Sequence, residues 1–537
     1  MTNRYKASLI WAFLSLVTAT LWAQPNTYFT SHSNDKSSLN EWTGNHPLRE
    51  TRAVWLTTIG GLDWPRIHAT DASGRERQKQ ELIRILDNYQ RANINTVIFQ
   101  TRVRAALLYP SKIEPWELSL TGTAGMNPGY DPLAFCIEEC HKRGMELHAW
   151  VVCIPIGTKE RQTKYGAQSL IRKHPELVKT AKGGEMFMIP GKAETADYIA
   201  NICREIVENY DVDGISLDYI RYPESTFAYS DDELYPRSSS ISKADWRREN
   251  ITRIVRRVHD VVKSIKPWVK LSSSPIGKYR DTSRYSAGGW NAYNAVWQDP
   301  VLWLKENWQD MLFPMMYFTG NNYYPFLYQW AENAYGHPIC PGLGIYFLDP
   351  REGRWTLNEV RAEMHSARNV GIGGIAFYRG EFLTKNCKGI YDTACREFFP
   401  YPALTARMTW MGDTIAPQAP TYIIYKEGTL HWQAPQSTRG GLLYNVYGSN
   451  LYPVDVTKAE NLLAARVRDT HWTLNARAQK LRHYAVTTID RFGNESPALQ
   501  QEKPTVELPK HINVPRLINR DLKGSTKTSK GKKKKKK

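Results

Sequence analysis

Eight apolar runs of strand length, separated by stretches with helical periodicity, limit most strongly what this 537-residue chain can fold into. Strands in a parallel sheet are buried on both faces and therefore appear as short, continuous apolar runs. Eight strand–helix repeats in succession predict an α/β fold, the (β/α)8 TIM barrel. The predicted strands are 51–59, 95–103, 145–153, 212–220, 270–274, 311–318, 341–347 and 373–378, and the clearest helices between them are 75–91, 131–143, 194–210, 246–266 and 356–369.

The lengths of the connections indicate which end of the barrel is functional. Links from helix to strand are short, as at 91–94, 142–144 and 266–268. Links from strand to helix are long, at 60–74, 108–129, 154–192, 223–244 and 277–295. Because the strand-to-helix loops build the active face of such barrels, we expect the working site at that end.

The beginning of the chain has the pattern of a secretory signal. Arg4 and Lys6 precede an apolar run from Ala7 to Leu21, and Trp22-Ala23 stands before a polar stretch. We therefore predict a signal peptide at 1–23, export to the periplasm or cell envelope, and an N-terminal arm at 24–47. The alternative is a retained membrane anchor, which the shortness of the run disfavours because a span needs about 20 apolar residues.

Beyond the barrel, which we assign to 48–402, the pattern changes. A linker is predicted at 403–416, and short alternating runs within 417–505 predict a small all-β sandwich, at 422–425, 429–432, 444–448, 472–474 and 484–490. These runs resemble a fibronectin type III domain, which is usually a spacer or docking module. We therefore expect the barrel to fold and act without this domain.

The last segment, 506–537, is predicted to be a disordered basic tail that ends in six lysines. From Pro504 onward twelve Lys and Arg oppose two acids, so +10 of the net charge of +18 lies there. We expect the tail to be attracted to an anionic envelope surface. Nucleic-acid binding is disfavoured because no aromatic residues interleave with the lysines to stack on bases. The sequence gives no indication of the oligomeric state.

Cysteine usage gives no sign of a metal or a disulfide framework. The seven cysteines are odd in number and fall mostly on predicted core elements. Cys136 and Cys140 are four residues apart, but no further Cys or His pair completes a zinc-ligand spacing. We predict neither a structural metal nor a cofactor.

Several motifs resemble those of the glycosyl-hydrolase-like family 10 proteins, and they occur in the family's order. Among them are Phe99-Gln100-Thr101-Arg102, His148-Ala149-Trp150 and the run from Asp213 to Pro223; the others lie at 50–58, 103–111, 114–116, 128–133 and 373–378. The resemblance implies a barrel glycosidase exported to the bacterial envelope, similar to enzymes that cut peptidoglycan glycan strands without stem peptides. This chain differs from those lipoprotein relatives in lacking a lipid-bearing cysteine and in its extra C-terminal domain.

The carboxylates at the strand ends fit glycoside hydrolysis, which generally needs two carboxyl groups about 5 Å apart for retention or about 6.5–9.5 Å apart for inversion. Asp218, which closes the fourth strand on the same face as Ser216, is the strongest catalytic candidate. Glu381, just after the eighth strand, is the second. Glu114 and Asp63 are weaker candidates. Each of these acids could instead be a structural carboxylate paired with arginine.

Aromatic and basic residues near the same strand ends are candidates for substrate binding. The predicted set comprises Arg102, Glu114, Trp116, His148, Trp150, Arg221, Tyr317, Tyr346 and Tyr378, with Trp64 and Arg104 nearby. The aromatics could stack on sugar rings, and the charged groups could orient hydroxyl, N-acetyl or carboxylate groups. The alternative is that large aromatics only cap the barrel. If the sugars are N-acetylated, the acetamido group could act as nucleophile with Asp218 orienting it.

The leading hypothesis is therefore an exported glycoside hydrolase that acts on an envelope polysaccharide, peptidoglycan-derived glycan strands in the first place. One rival is a hydrolase of another amino-sugar exopolysaccharide. A rival of a different class is a catalytically inactive barrel that binds glycan as an adaptor. The sequence does not distinguish retaining, inverting and substrate-assisted mechanisms.

Overall fold

Parallel strands lie at the centre of the structure, a computed structural model that describes residues 46–236, 238–436 and 441–500. In chain order the strands are β1 (Thr51–Leu56), β2 (Thr96–Arg102), β3 (Glu146–Val152), β4 (Pro155–Thr158), β5 (Val178–Thr180), β6 (Glu185–Met188), β7 (Gly214–Asp218), β8 (Lys270–Ser273), β9 (Met311–Leu312), β10 (Gly342–Leu343), β11 (Gly374–Phe377), β12 (Ile423–Lys426), β13 (Thr429–Trp432), β14 (Leu443–Ser449), β15 (Leu462–Val467), β16 (His471–Thr473), β17 (His483–Ile489) and β18 (Leu499–Gln500). The predicted signal peptide and basic tail, and nearly all of the N-terminal arm, lie outside the described residues.

Eight of these strands form the predicted barrel. Their order is β10-β11-β1-β2-β3-β7-β8-β9, and every pair is parallel. A parallel bridge between Met315 and Gly342 and another between Leu312 and Ile339 connect the two ends of the sheet. The TIM barrel predicted from the sequence is confirmed, and each of its strands lies within one of the eight predicted runs.

Helices connect the barrel strands and cover the outside of the sheet. They are α1 (Ala72–Arg91), α2 (Pro132–Lys142), α3 (Lys159–Thr163), α4 (Leu170–Lys173), α5 (Ala193–Asn209), α6 (Lys243–Ile265), α7 (Ala292–Ala295), α8 (Pro300–Lys305), α9 (Tyr324–Glu332), α10 (Leu357–Val370), α11 (Gly380–Thr384) and α12 (Ile390–Thr393). Their ends follow local chemistry: Asp131 caps α2 ahead of Pro132, and Thr356 and Glu359 form a capping box on α10. Within the described ranges no helix has the length and apolarity to cross a membrane.

The long loop after β3 contains a small sheet of its own. Strands β4, β6 and β5 pair antiparallel in that order. The sequence predicted a long loop at 154–192 and gave no sign that it contains strands. Because this sheet follows the carboxyl end of a barrel strand, it stands beside the active face.

The C-terminal region forms two antiparallel sheets, β12-β13-β16 and β15-β14-β17-β18. Five of the strands were predicted, whereas β15 and β18 were not. The fibronectin type III assignment stays a prediction. The region is continuous with the barrel: Gly144, at the end of α2, lies so close to β15 that a Cβ would be 2.3 Å from the carbonyl oxygen of Ala465. The barrel and these sheets therefore belong to one compact unit.

The segment predicted as a linker, 403–416, is packed in the structure. Leu404 and Met408 are fully buried, and the Leu404 backbone exchanges hydrogen bonds with Leu48 and Glu50 at the start of β1. Trp410 donates from its indole nitrogen to Asp310, just before β9, at 2.7 Å. The apolar residues between the prolines account for this packing, which proline content alone did not reveal.

A buried acid on α10 provides a test of the packing. Both carboxyl oxygens of Glu363 are buried without a hydrogen-bond partner among the described residues, and burial, with the charge of Glu359, raises its pKa well above the usual range. The folded protein therefore binds a proton that the unfolded chain releases above about pH 4.3, so stability falls as pH rises above that value. We expect Glu363→Gln to raise the free energy of unfolding at pH 7 by about 1–3 kcal/mol.

The gain should disappear in urea unfolding experiments below pH 4, where both states of the parent protein are protonated at this position. An equal gain at pH 4 and pH 7 would show that ionisation is not its source, and a loss of stability at pH 7 would show that the carboxylate is needed.

Candidate active site

A cavity of about 300 Å³ opens at the carboxyl ends of the barrel strands. Its floor is formed by side chains from β1, β3 and the segments after β9 and β11, and one side by the small β4-β6-β5 sheet. The lining residues are Trp55, Thr57, Ile59, Gln100, Val103, Arg104, Trp150, Val152, Ile154, Pro155, Glu185, Phe187, Asp218, Tyr219, Arg221, Tyr222, Pro223, Glu224, Phe227, Ser274, Met315, Tyr317 and Tyr378. Apolar and aromatic surface with a few polar groups is typical of a small-molecule site.

Asp218 is the central acid of this cavity. Its side chain ends β7, is 4% exposed, and accepts hydrogen bonds from the indole Nε1 of Trp150 at 2.9 Å and from the backbone N–H of Tyr219 at 2.7 Å. No described cation lies within ion-pair distance of it. Burial raises the pKa of Asp218, and the more distant charge of Arg221 only partly opposes this effect. A buried carboxyl with a raised pKa, facing a cavity without an ion partner, has the properties of an acid/base group.

Aromatic rings line the cavity beside Asp218. Tyr317 and Tyr378 are stacked, with ring centroids 5.1 Å apart and planes at 26°. Trp55 meets Tyr378 edge-on at 5.9 Å. Tyr346, another predicted residue, lies edge-on to both tyrosines at 5.8 Å and supports them from outside the lining. The structure thus brings Trp150, Tyr317 and Tyr378 together around Asp218.

Glu381, predicted as the second catalytic carboxyl, does not line the cavity that contains Asp218. It begins α11 outside the cavity lining and forms ion pairs with Arg66 at 2.8 Å, Arg379 at 2.9 Å and Lys385. Burial raises its pKa, but the hydrogen bond from Lys385 and the charges of both arginines outweigh this effect and lower the pKa to about 2. A carboxylate held ionised by three cations is a poor proton donor, and the structure does not bring Glu381 and Asp218 together in one cavity.

Asp63 shares the same cluster. Its carboxylate accepts hydrogen bonds from the backbone N–H groups of Thr57 at 2.7 Å and Glu381 at 2.9 Å, and pairs with Arg379 at 2.6 Å. These contacts attach the start of α11 to the end of β1. This geometry supports the alternative given above for Asp63, that of a structural carboxylate paired with arginine.

Because Glu381 lies outside the cavity, we expect Glu381→Gln to reduce kcat/KM on a glycan oligosaccharide less than tenfold. In the same assay, the kcat/KM of Asp218→Asn should fall about 10²–10⁴-fold, the typical contribution of acid/base catalysis. Circular dichroism should confirm that both proteins are folded. Similar large losses in the two folded variants would restore Glu381 as a catalytic residue.

Arg102 and Glu114, both predicted to bind substrate, are buried against each other. Arg102 is fully buried at the end of β2 and forms a two-pronged ion pair with Glu114, with bonds of 2.9 and 2.5 Å. It also donates to the carbonyl oxygens of Val152 and Cys153, and the hydroxyl of Tyr198 donates to Glu114 at 3.1 Å. This network ties the loop after β2 to the end of β3 and leaves no donor facing substrate.

His148 and Trp116 also lie away from the cavity. His148 is fully buried inside the barrel, 3.2 Å from Glu146, and its ring fills the space above Gly214. Trp116 is half-buried in the loop after β2 and packs against the core. Both residues were predicted because they lie in or near a predicted strand. The sequence did not show which face of the sheet each side chain is on or how deeply it is buried.

Sequence reasoning missed Glu185, an acid that the β4-β6-β5 sheet brings to the cavity. Glu185 begins β6, is half-buried, and makes no side-chain hydrogen bond or ion pair with any described residue. The cavity's remaining acid, Glu224, is bound to Arg221 at 2.7 Å. The only signal for Glu185 was its position in the longest strand-to-helix loop.

A larger cleft, of about 1180 Å³, lies at the opposite end of the barrel against the C-terminal sheets. Most of its charged groups are already paired, for example Arg143 with Asp87 and Arg468 with Asp211. Because catalytic residues of TIM barrels lie at the carboxyl ends of the strands, the smaller cavity is the candidate active site. Among the residues described, no cluster of three or more His, Cys, Asp and Glu is placed to hold a metal ion.

Comparison with known proteins gives consistent matches. The sequence profile of the family described as glycosyl hydrolase-like 10 matches residues 50–339. Glycosyl hydrolase YngK of Bacillus subtilis (strain 168) is 31% identical over 482 residues, covering 84% of this chain and 92% of the relative. Glycosyl hydrolase DigH of Escherichia coli (strain K12) is 35% identical over 396 residues, covering 67% and 89%. Among solved structures, the PgaB (BpsB) glycoside hydrolase domain of Bordetella bronchiseptica aligns with a TM-score of 0.44 at 12% identity, covering 66% of this chain and 99% of that one.

Proposed function

Because the chain belongs to the glycosyl hydrolase-like 10 family and is a glycoside hydrolase, we propose that it is exported and cleaves peptidoglycan-derived glycan strands of the bacterial envelope at the Asp218 cavity. The observation that carries the choice of site is Asp218 itself, a buried carboxyl without an ion partner at the end of a barrel strand. The alternative substrate is another amino-sugar exopolysaccharide. Export and attachment of the basic tail to an anionic surface are parts of the same proposal.

In this mechanism Asp218 donates a proton to the glycosidic oxygen as the bond to the leaving sugar breaks. Its raised pKa keeps part of the population protonated at a pH at which an ordinary aspartate is fully ionised. The opposite face of the sugar carbon is attacked by water that gives its proton to a carboxylate base, by a carboxylate nucleophile that water later displaces, or by the acetamido oxygen of an N-acetylated sugar. Trp150, which donates to Asp218, holds the carboxyl in place, and the Tyr317–Tyr378 pair offers a stacking surface for a sugar ring.

Glu185 is the second carboxyl that we assign to this reaction. It lines the same cavity as Asp218 and is not neutralised by any described cation. A free carboxylate at this position suits the nucleophile or the base that two-carboxyl hydrolysis requires. In the substrate-assisted alternative the sugar's acetamido group replaces it.

The proposed function is tested by incubating the full-length protein with purified glycan strands that lack stem peptides, with intact peptidoglycan and with a poly-N-acetylglucosamine exopolysaccharide. We expect reducing ends to appear with the stripped strands, and mass spectrometry should give the linkage that is cut. Cleavage of the exopolysaccharide alone would favour the alternative substrate. Binding without cleavage of any of the three would favour an inactive adaptor.

Glu185→Gln separates the two mechanisms. If Glu185 is the nucleophile or base, we expect kcat to fall about 10²–10⁴-fold, because the amide keeps the shape but cannot carry the charge. In a retaining enzyme, sodium azide should restore turnover and yield a glycosyl azide. Activity within tenfold of the parent would assign the nucleophile to the substrate's acetamido group.

A further inference from the structure

Two arginines of the cavity have hydrogen-bond donors that the protein itself does not use. Arg221, in the loop after β7, is 5% exposed, and its Nη1 is buried without a hydrogen-bond partner. Its Nη2 donates to Glu224 at 2.7 Å, so only one side of the guanidinium is satisfied. An unsatisfied buried donor is costly, and one belonging to a charged group in a cavity indicates a missing acceptor from a ligand.

Arg104 provides the second set of unused donors. It follows β2 in a left-handed backbone conformation with φ 47°, lines the cavity, and its guanidinium has no acceptor among the described residues. Its side chain passes over Gly157 of β4, where a Cβ would lie 3.4 Å from Cδ and 3.7 Å from Nη1 of Arg104.

Arg221 lies beside Tyr219, and Arg104 lines the same cavity. The Cζ atom of Arg221 stands 4.2 Å from the centroid of the Tyr219 ring. Burial raises the pKa of the Tyr219 phenol, and the charges of Arg221 and Arg104 oppose the rise. The carboxylates of the cavity do not occupy these donors: Glu224 binds the other side of Arg221, and neither Glu185 nor Asp218 forms an ion pair with either arginine.

We propose that Arg104 and the free side of Arg221 form a subsite for a carboxylate carried by a sugar unit of the substrate. A carboxylate is the acceptor that fits because guanidinium groups bind it through short, charge-assisted hydrogen bonds. The subsite would make the enzyme select acidic glycans over neutral ones. The inference rests on the proposed function, since it takes the cavity to hold a glycan, but binding tests it without any need for turnover.

The experiment uses the full-length Asp218→Asn protein, which cannot consume its ligand. Calorimetry would measure binding of two acidic oligosaccharides, one with lactyl ether carboxylates and one with uronic acids, each beside its carboxyl-reduced analogue. We expect at least one acidic ligand to bind about 10- to 100-fold more tightly than its reduced analogue, the range for hydrogen bonds to charged groups. The ligand that shows this preference identifies the source of the carboxylate.

Adding Arg104→Gln or Arg221→Gln should abolish the preference for the acidic ligand, because it should weaken binding of that ligand more than binding of the reduced analogue. Arg104→Gln is the safer variant because its guanidinium has no protein partner to lose. Arg257→Gln, which removes a surface arginine paired with Asp197 on the barrel exterior, is the matched control for net charge and should keep the preference. The proposal is overturned if the Asp218→Asn protein shows no preference for either acidic oligosaccharide over its reduced analogue, or if the preference survives in both arginine variants. Failure to cleave any glycan would instead count against the proposed function.

Discussion

Asp218→Asn should lose about 10²–10⁴-fold in kcat with little change in KM, because the amide keeps the size of the carboxyl but cannot donate or accept the proton. One oxygen of Asp218 accepts from Trp150 and the other from the backbone of Tyr219, so the amide keeps only one of these two hydrogen bonds. The free energy of unfolding should therefore fall by no more than about 1–3 kcal/mol, the cost of an unsatisfied buried donor, since no described ion pair is broken. The two effects are measured as turnover of a glycan oligosaccharide and as the urea midpoint of the same preparations.

The pH dependence of stability adds a second check on this variant. The raised pKa of Asp218 means that folding is penalised above the pKa of an unfolded aspartate, about 3.9, and not below it. Asn removes this penalty, so the variant should gain stability relative to the parent as the pH rises from 4 to 7. Lost activity in a variant that instead loses stability relative to the parent over this interval would assign Asp218 a structural role.

Arg466→Met should destabilise the protein by about 3–5 kcal/mol, the cost of breaking a buried ion pair at one partner. Arg466 belongs to β15 of the C-terminal sheets but its side chain enters the amino-terminal end of the barrel. There it pairs with Asp213, and with Glu146 at 3.2 Å. Its left-handed backbone, φ 56°, falls at the bulge of β15, and bulges re-aim side chains in this way.

The two acids depend on this arginine. Burial alone would raise the pKa of Glu146, but Lys270 and Arg466 outweigh it and hold the pKa well below the usual range. Burial would also raise the pKa of Asp213. The charges of Arg466, His141 and Arg491 outweigh this effect and lower the pKa. Acids with depressed pKa values stabilise the fold above their unfolded pKa and lose that contribution as pH falls. The difference in free energy of unfolding between the parent and Arg466→Met should therefore be largest near pH 7 and become smaller below pH 4.

The control is Arg468→Met, two residues away, which breaks an exposed pair with Asp211 and should cost no more than about 1 kcal/mol. Equal effects of the two substitutions on the chemical unfolding midpoint would show that the buried cluster contributes no more to stability than the exposed pair. The same cluster changes our expectation for the isolated barrel. A chain ending at Pro402 would leave Glu146 and Asp213 without Arg466 and Arg491, so we now expect it to misfold.

The barrel could be predicted from the sequence because each strand is a continuous apolar run and each helix carries its own periodicity and caps. The inward position of Asp218 could also be predicted, because alternation along β7 places it on the same face as Ser216. Strand β15 was missed because Leu462-Leu463-Ala464-Ala465-Arg466-Val467 does not alternate. An arginine in such a run is explained only by acids from another part of the chain.

The rest of the site depended on which charges meet in space. Arg102, Glu114 and Glu381 have the residue types of an active site and stand near strand ends, yet ion pairs occupy all three. Glu185 and Arg104 line the cavity without an ion pair to any described residue. The sequence suggested Arg104, whereas the loop that contains Glu185 gave no periodic signal. Pairing between distant segments decides whether a charge is structural or free, and this pairing is a property of the tertiary fold.

The most direct test of the assigned site is a crystal structure of full-length Asp218→Asn with an uncut glycan oligosaccharide. We expect the glycan in the 300 Å³ cavity, with the glycosidic oxygen within hydrogen-bond reach of residue 218 and a sugar ring against Tyr317 or Tyr378. A glycan bound in the cleft between the barrel and the C-terminal sheets, with the Asp218 cavity empty, would contradict the account.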